Sequence, residues 1–215
     1  MDENFENKVE EAKQEAVKTY NEAKEQMKNV DFKEEVKKGK GLIERLWKKP
    51  AETIKEIAED NENKTFKTAL FLIVIWMFVA AVDYILTNSS FKLLRVLKDV
   101  LEPALRILAM TISFCIVNNR AKDSLSKVLT SVSIAYAPEV LSSLLWILRN
   151  ISLNITAILS PVSGLLSAIS IILMYQTIKA LSQEQDDAKG IKTFIKVQVV
   201  FYVIAFILRF LGIYI

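Results

Sequence analysis

The chain has 215 residues, 52% of them hydrophobic, with five glycines and four prolines, which excludes a disordered, collagen-like or disulfide-stabilised protein. It has no histidine and one cysteine, Cys115, so a Ser-His-Asp triad, a Cys/His nucleophile pair and an intramolecular disulfide are also excluded. Residues 1–67 hold 15 basic and 17 acidic side chains, whereas residues 68–215 hold 13 and 8. A charged segment therefore precedes an apolar one, and the net charge of +3 does not indicate a nucleic-acid partner.

Residues 1–40 are predicted to form a charged, cytoplasmic helical arm. From Phe5 to Val30, small or apolar side chains recur every three or four positions, which is the spacing of one helix face. This thin stripe is compatible with membrane adsorption, dimerisation or packing on another protein, and equally with a solvated helix held by Glu–Lys pairs. Gly39 and Gly41 interrupt the pattern and predict a hinge.

Residues 41–67 are predicted to form amphipathic helices at the membrane interface. Trp47 is followed directly by Lys48 and Lys49, and an amphipathic indole beside two ammonium groups is typical of the headgroup region of a bilayer. We interpret these three residues as an interfacial anchor. The alternative is a pair of soluble amphipathic helices that leads into the first span.

The remainder, residues 68–215, contains five apolar stretches. They are residues 68–87, 100–119, 128–149, 151–175 and 191–215. Each approaches the ~20 helical residues that cross a bilayer core, so we predict an all-α integral membrane bundle of about five transmembrane helices. The second stretch contains Glu102, Pro103 and Arg106, so a buried or half-inserted helix is its alternative. Residues 91–101, just before it, are predicted to form a separate short helix on the bilayer surface.

Positive charge predicts the orientation of these spans. Twelve Lys and Arg side chains near the span ends fall on the side of the N terminus and four on the opposite side. Because positive charge is retained on the cytoplasmic face, the N terminus is predicted inside and the C terminus outside. The expected location is the cytoplasmic membrane of a prokaryote, in keeping with the Lys-, Ile- and Asn-rich composition.

Four short sequence motifs lie between Trp47 and Ile215. They are Lys-Lys-Pro before a short amphipathic helix, KTFKTALF at the entry of the first span, VSIAYAPEVLSSLL in the third, and YQTIKALSQEQDDAKGIKTF before the last. In these motifs the chain resembles the Yip family of polytopic membrane proteins, which is named for interaction with Ypt/Rab GTPases. The resemblance implies five spans, a cytoplasmic N terminus and no catalytic site. The arm lacks the acidic-Leu-Gly-Pro type of signature of eukaryotic members, so the resemblance is to a prokaryotic-type member without Rab binding.

Four ionisable side chains lie inside the predicted spans: Asp83, Arg106, Glu139 and Arg209. Each costs about 2.5–3.5 kcal/mol at membrane depth, so each needs a partner or a function. In the predicted topology all four share the outer half of the bilayer, where Glu139 can pair with one arginine and Asp83 with the other. Pro138 is expected to bend the helix beside Glu139. The cluster is therefore either a set of helix-assembly ion pairs or a polar cavity for a lipid headgroup or proton.

The fourth span carries small side chains at four-residue steps. Ser160, Gly164 and Ala168 have the spacing that lets helices approach closely in lipid, and we predict that they form the packing spine of the bundle.

The function predicted from the arm is that of a membrane-organising or adaptor protein without catalytic activity. The charges inside the spans favour the alternative, a transporter or lipid-handling protein. No phosphate-binding loop or metal-ligand pattern occurs in the sequence, so no cofactor is expected. The predicted partners are the lipid bilayer, another protein bound through the N-terminal helix, and a second copy of the chain.

Overall fold

Every regular element of the described chain is helical, in agreement with the predicted all-α fold. The computed structural model describes residues 16–25, 31–60, 64–88, 93–118, 125–148 and 153–210, together with Gln14 and Gly212. The helices are α1 (16–25), α2 (Phe32–Lys48), α3 (Pro50–Glu59), α4 (Phe66–Thr87), α5 (Leu93–Asn118), α6 (Leu125–Ala135), α7 (Ala137–Ile147), α8 (Leu153–Leu181) and α9 (Asp187–Phe210).

Four of these helices, α4, α5, α8 and α9, are long and apolar enough to cross a membrane. The pair α6–α7 is also apolar enough, with a bend of 44° between its two halves, which brings the described chain to as many as five spans. The shortest of the four single helices has 22 residues, which at ~1.5 Å per residue covers the ~30 Å hydrocarbon core. The chain is thus an integral, multi-pass membrane protein.

The bend between α6 and α7 lies at the position predicted from Pro138. Pro138 has no N–H to donate to the carbonyl of Ile134, so the helical hydrogen-bond ladder is interrupted there. The N–H of Tyr136 donates to the carbonyls of Val132 and Ser133 at 3.2 Å each, which tightens the last turn of α6. Glu139 consequently lies in the first turn of α7, where the helix dipole favours a carboxylate.

The second span begins earlier than predicted. Helix α5 runs without a break from Leu93 to Asn118, so residues 93–101 of the predicted surface helix form its first turns, while residues 91 and 92 lie outside the described residues. Pro103 lies inside this helix and is buried. Helix α5 continues past this residue, where the proline removes one backbone hydrogen bond, and it packs against α4 and α9. The prediction of a separate helix at residues 91–101 is therefore wrong.

Helix α2 shows that the predicted hinge is also wrong. It continues through Gly39 and Gly41 to Lys48, across the predicted boundary at residue 40. Glu35, Gly39, Leu42 and Leu46 form a buried stripe that packs towards α3 and α4. This packing offsets the cost of about 1 kcal/mol that each glycine imposes on a helix.

Helix α3 packs on one end of the bundle, against α6 and α8, with Ile54 and Ile57 almost completely buried. These side chains belong to the same core as Trp76 and Ile107 of the spans. We call this the arm end of the bundle. The end where α4 finishes and α5 begins is the cavity end. Of the predicted helix over residues 5–30, the structure describes Gln14 and residues 16–25, which are helical, and the rest lies outside the described residues.

Candidate functional site

A cavity of about 640 Å³ lies at the cavity end, between α4, α5, α7 and α9. Its charged lining comes from three helices. These residues are Asp83, Asp99, Glu102, Arg106 and Arg209. Three of the four span charges predicted from the sequence therefore lie around one space. We call this space the outer cavity.

One wall of the outer cavity is aromatic and is fixed by hydrogen bonds. The indole N–H of Trp76 donates to Ser143 Oγ at 2.9 Å, and that of Trp146 donates to Ser163 Oγ at 2.9 Å. The ring of Trp76 also packs on the ring of Tyr136, with a centroid separation of 5.7 Å. Because both indole donors are satisfied within the protein, this wall of the cavity is aromatic and offers no free indole N–H.

A second cavity of about 270 Å³, the inner cavity, lies deeper between α5, α7, α8 and α9. Its polar lining consists of Arg106, Tyr136, Glu139, Ser170, Gln198 and Tyr202. Arg106 lines both cavities. The structure thus places Glu139, the fourth predicted residue, next to the space that holds Asp83 and Arg209.

The ion pair of Arg106 differs from the predicted one. Its Nη2 lies 2.5 Å from Glu102 Oε1, one turn earlier on the same helix, and both side chains are partly exposed. Among the described residues, Glu139 forms no ion pair. A partner four positions away on one helix is reached without bridging two helices, which explains why Glu102 takes this place. Glu102 was not predicted as a partner because it lies at the start of the predicted span, although its spacing of four from Arg106 was a usable signal.

Four polar groups around the inner cavity lack hydrogen-bond partners within the described part of the chain. Arg106 Nε is buried without an acceptor. Tyr136 is 9% exposed, and neither its hydroxyl nor the amide of Gln198 nor the carboxylate of Glu139 contacts a protein hydrogen-bonding group in the described ranges. Of these groups Arg106 Nε is a buried atom, whereas Glu139 and Gln198 are half-buried and line the cavity, where water or a ligand can complete their hydrogen bonds.

The acidic side chains of the two cavities are spread over α4, α5 and α7 rather than clustered. In the ranges that the structure describes, no three Asp, Glu or Cys side chains come together as a metal site would require. The cavities therefore offer isolated carboxylates beside arginine and aromatic rings.

The predicted interfacial anchor lies on the surface. Trp47 is 70% exposed, although Leu46 beside it is buried in the core. Lys48 is exposed, and Lys49 Nζ lies 2.7 Å from Glu52 Oε2, a hydrogen bond that raises the pKa of the lysine. Membrane contact by this group stays a prediction.

The small-residue stripe of α8 does not form the packing spine of the bundle. Ser160, Gly164 and Ala168 are all exposed, and a Cβ added at Gly164 would meet nothing within 4 Å. The buried face of α8 instead carries Ser163 and larger side chains such as Met174. These fill the space between helices better than a row of small residues, so the predicted spine is wrong for contacts within this chain.

No known protein family, no curated protein and no solved structure matches the chain in sequence or fold comparison. The resemblance to the Yip family therefore stays a prediction.

Proposed function

We propose that this membrane protein is a transporter or lipid-handling protein that admits a polar solute or headgroup between α4, α5, α7 and α9. The observation that carries the proposal is that Arg106 lines both cavities, so that one polar region extends from the cavity end towards the middle of the bundle. Charged side chains in a span are costly unless they have a function or a partner. Here they surround open volume, which is the arrangement expected of a binding site.

The proposal includes an orientation. With the N terminus in the cytoplasm, α4 runs outward and the outer cavity opens towards the external side of a prokaryotic cytoplasmic membrane. The excess of positive charge near the arm end supports this orientation.

Cysteine labelling tests the proposal. In a Cys115→Ala background, Ala80→Cys places a thiol in the lining of the outer cavity, and Phe78→Cys on the same helix places one on an exposed apolar face. A charged, membrane-impermeant maleimide added outside should modify the Ala80→Cys protein and spare the Phe78→Cys protein, because thiolates form in water and not in lipid. Protection of both thiols, or modification of Ala80→Cys only from the cytoplasm, would contradict the proposal.

A second candidate function, that of a non-catalytic adaptor, is supported by the surface of α1. Val17 is 59% exposed and Tyr20 is 66% exposed, and their spacing of three places them on one helix face. Such a face can take another protein as partner. A photo-crosslinker at Tyr20 should then yield one discrete adduct in cells, whereas the same group at Lys18, which is exposed on a different face of the helix, should not.

A further inference from the structure

We infer that the inner cavity binds an ammonium group that carries a hydrogen-bond acceptor a few bonds away, as in ethanolamine or an ethanolamine headgroup. This inference rests on the proposed function and names its ligand class. It starts from Glu139 and Arg106, which line the same 270 Å³ but do not pair with each other.

The charge balance around the cavities favours a cation. Asp83, Asp99, Glu102 and Glu139 supply four acidic side chains, against two basic ones, Arg106 and Arg209. Within the inner cavity, the Glu102–Arg106 pair is neutral as a unit and Glu139 adds one negative charge. An ammonium group that donates to Glu139 restores neutrality at a depth where an unbalanced charge is costly.

The acceptor follows from Arg106. Its Nη2 is engaged by Glu102, but its buried Nε has no acceptor among the described residues. The guanidinium lines the inner cavity and is partly exposed, so a hydroxyl or phosphate-ester oxygen on the ligand can accept a hydrogen bond from its accessible N–H groups, and charge-assisted bonds of this kind are the stronger ones. A free inorganic anion would meet the same guanidinium but also the excess of acidic side chains.

An independent observation is the hydroxyl of Tyr136. This side chain is nine-tenths buried, lines the inner cavity and has no hydrogen-bond partner in the described part of the chain. Gln198 faces the same space from α9 and adds one amide. Together with Glu139 they offer oxygen atoms to a bound ammonium group, and the aromatic ring of Tyr136 adds a face that attracts cations.

The test is binding to the full-length protein in detergent micelles, measured by calorimetry. The probes are ethanolamine, ethylammonium, which lacks the acceptor, and inorganic phosphate. We expect ethanolamine to bind most tightly, ethylammonium roughly tenfold more weakly because it offers the Arg106 guanidinium no acceptor, and phosphate not at all.

Two variants locate the site. Glu139→Gln and Tyr136→Phe should each weaken ethanolamine binding about tenfold or more. The matched control is Thr177→Val, which removes another buried, unpartnered hydroxyl that lines neither cavity. It should bind like the original protein. Tyr136→Phe keeps the aromatic ring, so it tests the site even where Glu139→Gln fails to fold.

A second comparison identifies the source of the ammonium group. Short-chain phosphatidylethanolamine that displaces ethanolamine and binds more tightly points to a lipid headgroup, whereas failure to displace it points to a free amine. Either result supports the ligand class. Equal binding of phosphate, unchanged affinity in both variants, or no binding of any probe would overturn it. Labelling of Ala80→Cys without ammonium binding would contradict this inference alone and leave the proposed function standing.

Discussion

Glu35 of α2 accepts a hydrogen bond from the hydroxyl of Thr68 of α4 at 3.0 Å, across 33 positions of sequence. The Glu35 side chain is 1% exposed, and its remaining partner is Lys38 Nζ at 3.2 Å. A carboxylate is rarely buried without partners, so this contact fixes α2 on the first turn of the first span. The arm segment from Asp31 onward is therefore docked on the bundle by a specific polar contact.

We expect Glu35→Ala to destabilise the protein by about 1–3 kcal/mol, because the buried hydroxyl of Thr68 loses its partner. Thr68→Val should cost a similar amount, and the double variant less than the sum of the two, since the residues act as a pair. Thermal unfolding in micelles measures each step of the cycle. Glu44→Ala, which changes an exposed acid elsewhere on α2, is the control. Strict additivity would mean that the contact does not form.

Replacing Gly41 by alanine should stabilise the protein by about 0.5–1 kcal/mol, because the residue lies within α2 and is exposed. A Cβ there would meet nothing within 4 Å. Gly190→Ala is the contrasting variant, since its Cβ would lie 3.3 Å from the Lys179 side chain. Unfolding midpoints compare the two. A loss of stability in Gly41→Ala would indicate that the chain has a hinge at this residue, as the sequence predicted.

Alkaline pH should weaken the first turns of α2. Hydrogen bonds from Lys38 to Glu34 and then to Glu35 raise the pKa of the lysine above its ordinary value of 10.5. The stabilising contribution is therefore fully present below about pH 10.5, the value in the unfolded chain, and is lost as the pH rises through the higher folded pKa. The stability difference between the original protein and Lys38→Gln should be constant from pH 7 to pH 10 and disappear above that range. If the difference in stability between the two proteins persists at higher pH, it comes from the packing of the aliphatic part of the lysine side chain and not from its charge.

The orientation prediction now depends on α6 and α7. If the bent pair is one span, a reporter placed before Met1 should be cytoplasmic and one after Ile215 external. If the pair is instead a re-entrant loop, four spans remain and both ends face the same side. Reporter fusions at the two termini separate these cases, and a third fusion between α7 and α8 shows on which side of the membrane the pair ends. Both termini inside would contradict the five-span arrangement.

The sequence was sufficient to predict the helical class, the approximate spans and the bend at Pro138, because each depends on local chemistry. Apolar length and a missing N–H are properties of a segment by itself. The misjudged features depend on which helices meet. Gly39 is a helix breaker by propensity, but the packing of α2 on α4 decides its conformation.

The same distinction applies to the polar residues. Depth in the membrane could be estimated from residue counts, so Asp83, Arg106 and Arg209 were expected near one another, and all line the outer cavity. Rotation about the helix axis is set by tertiary packing and could not be estimated. For this reason the exposed position of Gly164 and the burial of Glu35 could not be predicted from the sequence.

The last prediction separates the ion pair of Arg106 from the ligand site. Because Glu102 is its carboxylate partner at 2.5 Å, Glu102→Gln should leave a partly buried guanidinium unpaired. Deleting one member of a fully buried pair costs about 3–5 kcal/mol, and about 1–3 kcal/mol is expected here because water reaches both side chains. The double variant Glu102→Gln, Arg106→Leu should recover much of this loss, since it removes the uncompensated charge.

Glu139→Gln is the matched comparison, an identical change of one carboxylate to an amide next to the same arginine. It should leave stability unchanged or slightly raised, because this carboxylate forms no ion pair with the described residues and its charge is costly at this depth. Thermal unfolding of the three variants in the same micelles measures the contrast. A larger loss for Glu139→Gln than for Glu102→Gln would show that the arginine pairs across helices, as the sequence alone suggested, and that the inner cavity is closed by that contact.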